Sequence, residues 1–108
     1  MYLRTNLPGT LTSYITLLEV KGHHLGRPYV DSLKGTKQVN NLKELRVQHQ
    51  GKPYRILFAF DPKRQAVLLC GGDKTGDKRF YKRMISIAER EFFTSFGRDQ
   101  ITIEVYYG

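Results

Sequence analysis

Apolar residues recur along the chain with two different periods, and the change of period marks the predicted elements. Leu11, Ile15 and Leu18 follow helical spacing, which predicts a first helix from residue 10 or 12 to about residue 21. Further on, Pro28 suits the first turn of another short helical segment within RPYVDSL. A polar connector with a glycine, KGTKQVNN, then separates this helical part from the rest of the chain.

From residue 42 the period is two, which is typical of strands. The segments LKELRVQ, YRILFAF and VLLC predict three strands, and QGKP and DPKR between them predict a hairpin turn and a type I turn. A basic loop, DKTGDK, leads into a helix that is expected over residues 78–96, with Gly97 as its cap. The final segment, ITIEVYYG, alternates again and predicts another strand.

This order of elements predicts an α+β fold. We expect an antiparallel sheet, made of the three-strand meander plus the C-terminal strand, with the helices packed against one sheet face. A chain of 108 residues is large enough for one hydrophobic core and too small for two, so residues 1–108 are expected to form a single domain.

The positive charge is concentrated in one half of the chain. The net charge is +8, and residues 34–83 hold 13 of the Lys and Arg residues against four of the Asp and Glu. Such a concentration suits a polyanionic partner, which RNA, DNA or an acidic protein would each be. A solubilising surface is the alternative, although it explains the total charge better than its confinement to one half.

The sequence argues against several other classes of protein. No apolar stretch reaches the roughly 20 residues that span a bilayer, and MYLRTNLPGT lacks the apolar run of a secretory signal. A single cysteine, Cys70, allows no intramolecular disulfide, so we expect a cytoplasmic protein with no membrane partner. The histidines and Cys70 have no metal-site spacing, and GGDKTG lacks the spacing of a Walker motif, so neither a metal nor a cofactor is expected.

Two arginines share one side of the predicted meander. Arg46 and Arg55 alternate away from the main apolar face of their strands, so pairing across the short turn puts both on the same side of the sheet. Lys74 in the basic loop and Tyr81 at the helix start complete a group that is able to bind a phosphate and offset charge in its transition state. Other interpretations stay open. The arginines also suit a solvated strand face or an ion pair with Glu44, and Tyr81 belongs to the apolar helix stripe.

One long stretch resembles the RelE/ParE superfamily of type II toxins. It reads LKELRVQHQGKPYRILFAFDPKRQAVLLCGGDKTGDKRFY, with GRPYVDSLKG before it, and is most similar to the HigB-like, phage-derived Gp49-like branch. The resemblance implies a RelE-like fold and a toxin that cleaves mRNA on the ribosome until a helix-turn-helix antitoxin inhibits it. ParE relatives instead poison DNA gyrase without a catalytic set, so a gyrase inhibitor is the alternative.

The resemblance also implies roles for individual residues. Arg46 and Arg55 fall where the family binds the phosphate and stabilises the transition state. Lys74 falls in the basic loop, and Tyr81 falls where relatives carry a tyrosine that orients or activates the ribose 2′-hydroxyl. Further cations are expected to bind RNA, although a solvated surface is the simpler interpretation for those on the helix: Lys43, Lys52, Lys78, Arg79 and Lys82.

Two further residues are possible acid or base groups. Asp73 lies in the basic loop, where it and Asp77 equally suit ion pairs with Lys74 and Lys78, and we favour the ion pairs. His49 ends the first strand of the meander, but its parity places it on the apolar face and favours an edge or turn residue.

Two departures from the family pattern bear on fold and activity. Only ten residues precede Leu11, so the first strand and first helix of relatives are expected to be shortened or missing. The C-terminal strand ITIEVYY is longer than in relatives, and we expect it to take the sheet position of the absent first strand. A degraded toxin that retains only antitoxin binding is therefore a third hypothesis.

Overall fold

A computed structural model describes residues 9–96 and confirms the α+β fold. Its sheet has four antiparallel strands in the order β1-β2-β3-β4, so the predicted meander of β2, β3 and β4 is present. Along the chain the elements are helix α1 (Gly9–Lys21), a 3-10 turn (Gly22–His24), β1 (Val30–Ser32), β2 (Lys43–His49), β3 (Lys52–Phe60), β4 (Ala66–Asp73) and helix α2 (Phe80–Phe96).

The turns of the meander are set by local backbone chemistry. Gln50 and Gly51 join β2 to β3 as a two-residue turn, and both have positive φ angles, of 52° and 76°, which match the twist of a hairpin. In the second turn, Asp61 accepts hydrogen bonds from the backbone N–H of Arg64 at its carbonyl (2.8 Å) and from that of Gln65 at its side chain (2.7 Å). The predicted turn at DPKR is therefore confirmed.

The sheet carries a hydrophobic core on each face, with one helix over each. Leu11, Ile15 and Leu18 of α1 pack with Ile56 and Phe58 on one face. The second core joins apolar residues of α2 to the other face of the sheet: Leu57, Ala59, Val67, Leu69, Phe80, Met84 and Ala88. The expectation that both helices share one face is therefore wrong. The strands β3 and β4 are apolar on both sides, so each face needs its own cover.

The predicted helical segment in RPYVDSL is a turn followed by a short strand. Pro28 lies in the turn, where the backbone N–H groups of Tyr29 and Val30 both donate to the carbonyl of Gly26 at 3.0 Å, and β1 begins at Val30. Val30 pairs with Leu45 in β2, and the backbone N–H of Arg46 donates to the carbonyl of Tyr29 at 2.8 Å. Val30 is also buried in the α1-side core. Pairing with the open edge of β2 and burial of Val30 thus favour a strand directly after the turn that contains Pro28.

Some predictions fall on residues that the structure does not describe. The C-terminal strand and the Gly97 cap lie within residues 97–108, and the missing first strand concerns residues 1–8. These predictions lie outside the described residues. Neither helix within residues 9–96 is both long and apolar enough to cross a membrane.

Candidate active site

Arg46 and Arg55 lie opposite each other in neighbouring strands, as strand parity predicts. They are register partners in the antiparallel pair β2–β3, so their side chains emerge on the same face of the sheet. This is the face that α2 covers. The Arg55 side chain is 8% exposed and that of Arg46 is 39% exposed. One guanidinium group is therefore fixed in the protein while the other reaches solvent.

Glu44 is the group that both arginines approach. Its Oε1 lies 3.6 Å from Nε of Arg55, and its Oε2 lies 3.6 Å from Nε of Arg46. The ion-pair interpretation of the two arginines is thus confirmed. Neither Nε atom has a hydrogen-bond partner among residues 9–96, although both atoms are buried. Arg55 donates from Nη1 to the carbonyl of Tyr54 at 2.9 Å, which holds its side chain along the strand.

Tyr81 reaches this cluster from the first turn of α2. Its hydroxyl donates to Oε1 of Glu44 at 2.6 Å, so the apolar stripe that includes this tyrosine ends in a polar contact. Burial and the hydrogen bond to Glu44 raise the pKa of the Tyr81 phenol, and Arg55 acts in the opposite direction. The phenol is therefore neutral near pH 7, and it acts as a hydrogen-bonding group rather than as a phenolate.

The basic loop between β4 and α2 brings Lys74 to the same place. The Lys74 backbone N–H donates to the carbonyl of Pro53 at 3.0 Å, which fixes the loop against the start of β3. The Lys74 ammonium lies 5.7 Å from the centre of the Tyr81 ring, within the range of a cation–π contact. Arg46, Arg55, Lys74 and Tyr81 therefore form one cluster around Glu44, which we call the arginine–tyrosine cluster.

Glu44 is expected from the sequence only as an ion-pair partner of the arginines, yet it is the centre of the cluster. The available signal was its parity, because Glu44 stands two residues before Arg46 and so shares its sheet face. What the sequence did not show is that the start of α2 crosses this face and buries the carboxylate. Glu44 is only 7% exposed, and a buried carboxylate needs several partners.

The two possible acid or base residues have their described contacts outside the cluster, although Asp73 directly precedes Lys74 in the chain. The His49 ring is 6.1 Å from that of Tyr54, a residue of the α1-side core, so His49 points to the opposite face. Asp73 accepts hydrogen bonds from the hydroxyl of Thr75 (2.7 Å) and from its backbone N–H (2.9 Å). Both bonds lower the pKa of Asp73.

The favoured ion pairs of the basic loop are also wrong. Asp77 pairs with Arg83 at 2.7 Å and accepts the backbone N–H of Arg79 at 3.0 Å, while Asp73 binds Thr75. The two aspartates thus hold the loop and cap the start of α2. In the described part of the chain, these aspartate contacts involve neither the side chain of Lys74 nor that of Lys78.

The expected RNA-binding cations lie in three places. Lys78, Arg79 and Lys82 are exposed at the start of α2, next to Tyr81 in the chain. Lys43 donates to the hydroxyl of Ser32 at 3.2 Å, at the edge of the sheet away from the hairpin. Lys52 lies at the other end of β2–β3, where its charge lowers the pKa of Asp73. Within residues 9–96 no group of three or more His, Cys, Asp or Glu residues is arranged to hold a metal ion.

Comparison with known proteins identifies the family. Residues 5–92 match the family described as "Phage derived protein Gp49-like (DUF891)". The chain is 48% identical over 89 residues to "Putative toxin HigB3" of Mycobacterium tuberculosis (strain ATCC 25618 / H37Rv), which covers 82% of this chain and 75% of that protein. It is 45% identical over 80 residues to "Putative toxin HigB2" of the same strain, covering 72% of this chain and 39% of that protein. No solved structure matches the chain at a significant level. The chain therefore belongs to the phage-derived Gp49-like family of HigB-like toxins.

Proposed function

We propose that this protein is the toxin of a type II toxin-antitoxin system and that it inhibits translation by cutting mRNA on the ribosome. The names of the two mycobacterial relatives support the toxin role. The arginine–tyrosine cluster supports the nuclease activity, and it is the observation that carries the proposal. Two guanidinium groups, an ammonium group and a hydroxyl group converge on one face, as a phosphate site with an adjacent proton acceptor requires.

In the proposed reaction, the ribose 2′-oxygen attacks the adjacent phosphorus and the bond to the 5′-oxygen breaks. The products are a 2′,3′-cyclic phosphate and a 5′-hydroxyl, and the reaction needs neither a metal ion nor a cofactor. Arg46 and Arg55 would bind the phosphate oxygens and stabilise the extra negative charge of the transition state. The Nε atoms of both arginines are buried and face Glu44, so the terminal guanidinium nitrogens would make this contact.

The proton of the 2′-hydroxyl would leave through Tyr81 to Glu44. Because the Tyr81 hydroxyl donates its own proton to Glu44 at 2.6 Å, its oxygen still has lone pairs that accept a hydrogen bond from the ribose. Transfer along this line places the proton on Glu44 and keeps the phenol neutral. Lys74, whose ammonium group lies over the Tyr81 ring, would supply positive charge near the departing 5′-oxygen, which takes its proton from solvent.

The remaining parts of the proposal follow from charge and family. The cations at the start of α2 and Lys52 would contact the RNA backbone on either side of the cut. A helix-turn-helix antitoxin would hold the toxin inactive, and the site of action would be the ribosome in the cytoplasm. We further propose that residues 1–108 act as a single domain.

The proposal is tested by inducing the protein in growing bacteria and mapping the ends of mRNA. We expect growth arrest and new mRNA ends that carry 2′,3′-cyclic phosphate. Arg55→Ala should reduce cleavage by about 100-fold or more, as for other transition-state donors. The matched control is Lys63→Ala, which removes one charge from the exposed turn between β3 and β4 and should leave cleavage intact.

Other outcomes would point to the alternative functions. Growth arrest with intact mRNA and trapped gyrase–DNA complexes would contradict the nuclease and indicate a gyrase inhibitor. Absence of both growth arrest and cleavage, in a folded protein that still binds the antitoxin encoded beside it, would indicate a degraded toxin. Cleavage that leaves 5′-phosphates would contradict attack by the 2′-hydroxyl.

A further inference from the structure

A groove runs along the outer side of α2, beside the connector that precedes β2. Two neighbouring cavities form it, of about 510 and 580 Å³, and Lys37, Ser86 and Glu89 line both. The lining residues extend along α2 from Arg79 to Thr94, which is roughly 20 Å at the rise of an α-helix. The groove is therefore long enough for three to four turns of a second helix.

The groove is held open by a fixed connector. Glu89 accepts hydrogen bonds from three consecutive backbone N–H groups, those of Lys37 (2.8 Å), Gln38 (2.6 Å) and Val39 (2.9 Å). These bonds fasten one wall of the groove to the helix that forms the other wall. Because three N–H groups donate to the Glu89 carboxylate, these hydrogen bonds offset much of its negative charge.

Both apolar and cationic groups line the groove. Ile87 and Phe93 contribute apolar surface, and the Phe93 side chain is 49% exposed. The cations that line the groove are all exposed: Lys37, Arg79, Lys82, Arg83 and Arg90. Asp77 pairs with Arg83, which still leaves a clear positive excess along the rim.

We infer that this groove binds an acidic amphipathic helix of another protein. The apolar floor would receive leucine-like side chains at helical spacing, and the cationic rim would pair with flanking carboxylates. RNA would match the cations but not the apolar side chains of Ile87 and Phe93. Among the described residues that line the groove only Phe93 is aromatic, whereas proteins that bind single strands stack successive bases on several aromatic rings. None of the described residues that line the groove belongs to the arginine–tyrosine cluster, so this inference goes beyond the proposed cleavage reaction. The groove shares Arg79 and Lys82 with the proposed RNA contacts.

The test uses the full chain and a fluorescein-labelled peptide of 15 residues with leucines on one helical face and glutamates on both flanks. A second peptide with lysines in place of the glutamates measures the contribution of charge. We expect the acidic peptide to bind with at least ten-fold higher affinity than the basic one, and added salt to weaken it. Ser86→Trp, which fills the middle of the groove, and Lys37→Glu should each weaken binding at least ten-fold.

Matched controls separate the groove from general surface effects. Ser13→Trp on α1 and Lys63→Glu in the second turn change equally exposed residues and should leave peptide affinity unchanged. Arg55→Ala should also leave it unchanged, so failure of the nuclease proposal and failure of this one are distinguishable. Equal affinity for both peptides, or no binding of the acidic one, would overturn the inference. The inference would also be overturned if Ser86→Trp changed the binding of single-stranded RNA, or the self-association of the protein, and left peptide binding unchanged.

Discussion

At the scale of single residues, the charge balance around Glu44 decides how the candidate site behaves. One carboxylate is shared by two guanidinium groups, both 3.6 Å away, so the site keeps a net positive charge after its internal pairing. Removing one member of a buried ion pair leaves an uncompensated charge, which costs about 3–5 kcal/mol. Glu44 thus holds the two arginines together, and in the proposed reaction it would also take the proton.

The first residue-scale prediction concerns Glu44→Gln. The variant keeps the shape of the side chain but leaves Arg46 and Arg55 facing each other without a carboxylate, so we expect it to be less stable and inactive. An added anion should then replace the lost charge by binding the folded state. Differential scanning calorimetry should show that phosphate, compared with chloride at equal ionic strength, raises the melting temperature of the variant more than that of the wild type. Equal shifts would argue against a phosphate site between the arginines.

The second residue-scale prediction concerns Tyr81→Phe. This change keeps the ring that packs beside Phe80 and removes only the hydroxyl that donates to Glu44. We expect the rate of the cleavage step to fall by about 10²–10⁴, as for other groups in proton transfer, with little change in RNA affinity. Single-turnover cleavage on ribosomes measures the first quantity, and fluorescence anisotropy measures the second. A fall in affinity with an unchanged rate would instead assign Tyr81 to binding.

At the scale of elements, strand parity predicted the site better than it predicted its surroundings. Alternation in β2 and β3 was enough to place Arg46 and Arg55 together, because a two-residue turn leaves one register that keeps both apolar faces buried. The strand β1 has only three residues, too few for a period to appear. The segment VLLC is apolar on both sides, yet no pattern in the chain indicates which helix covers which face of the sheet.

The third prediction concerns the contact between Glu89 in α2 and the connector. Burial acts to raise the pKa of Glu89, but the three backbone donors and Lys37 outweigh it, so the pKa lies below its ordinary value of 4.5. A lowered carboxylate pKa contributes stability that is complete above the unfolded pKa and is lost as the pH falls through the folded value. We therefore expect Glu89→Gln to be less stable than the wild type near pH 7, and the difference to shrink as the pH falls below about 4.5.

Urea unfolding at a series of pH values measures this difference. Glu91→Gln serves as the matched control, because Glu91 lies on the same helix and accepts none of the connector N–H groups in the described part of the chain. Its stability should stay close to that of the wild type at every pH. A Glu89→Gln difference that stays constant down to pH 3 would show that the carboxylate charge does not hold the connector.

At the scale of the whole molecule, the two cores share one sheet. Phe58 lies in the α1-side core and its neighbour Leu57 lies in the α2-side core, so neither core can be lost without disturbing the strands of the other. The distribution of positive charge also depends on the whole fold. The sequence located the positive excess between residues 34 and 83, but only the fold separates it into the arginine–tyrosine cluster and the rim of the groove.

The last prediction uses Cys70 to test whether the two cores unfold together. Cys70 is buried under α2, its thiol donates to the carbonyl of Met84 at 3.4 Å, and burial raises its pKa to about 12. The native Cys70 thiol should therefore not react with iodoacetamide at pH 8, because only the unfolded chain has an accessible thiolate.

In a urea series, Cys70 labelling should rise at the same midpoint as the loss of circular dichroism. Phe58→Leu, a change in the opposite core, should lower both midpoints equally. Labelling at lower urea than the main transition would mean that α2 detaches alone, and the described fold would then consist of two units of separate stability rather than one.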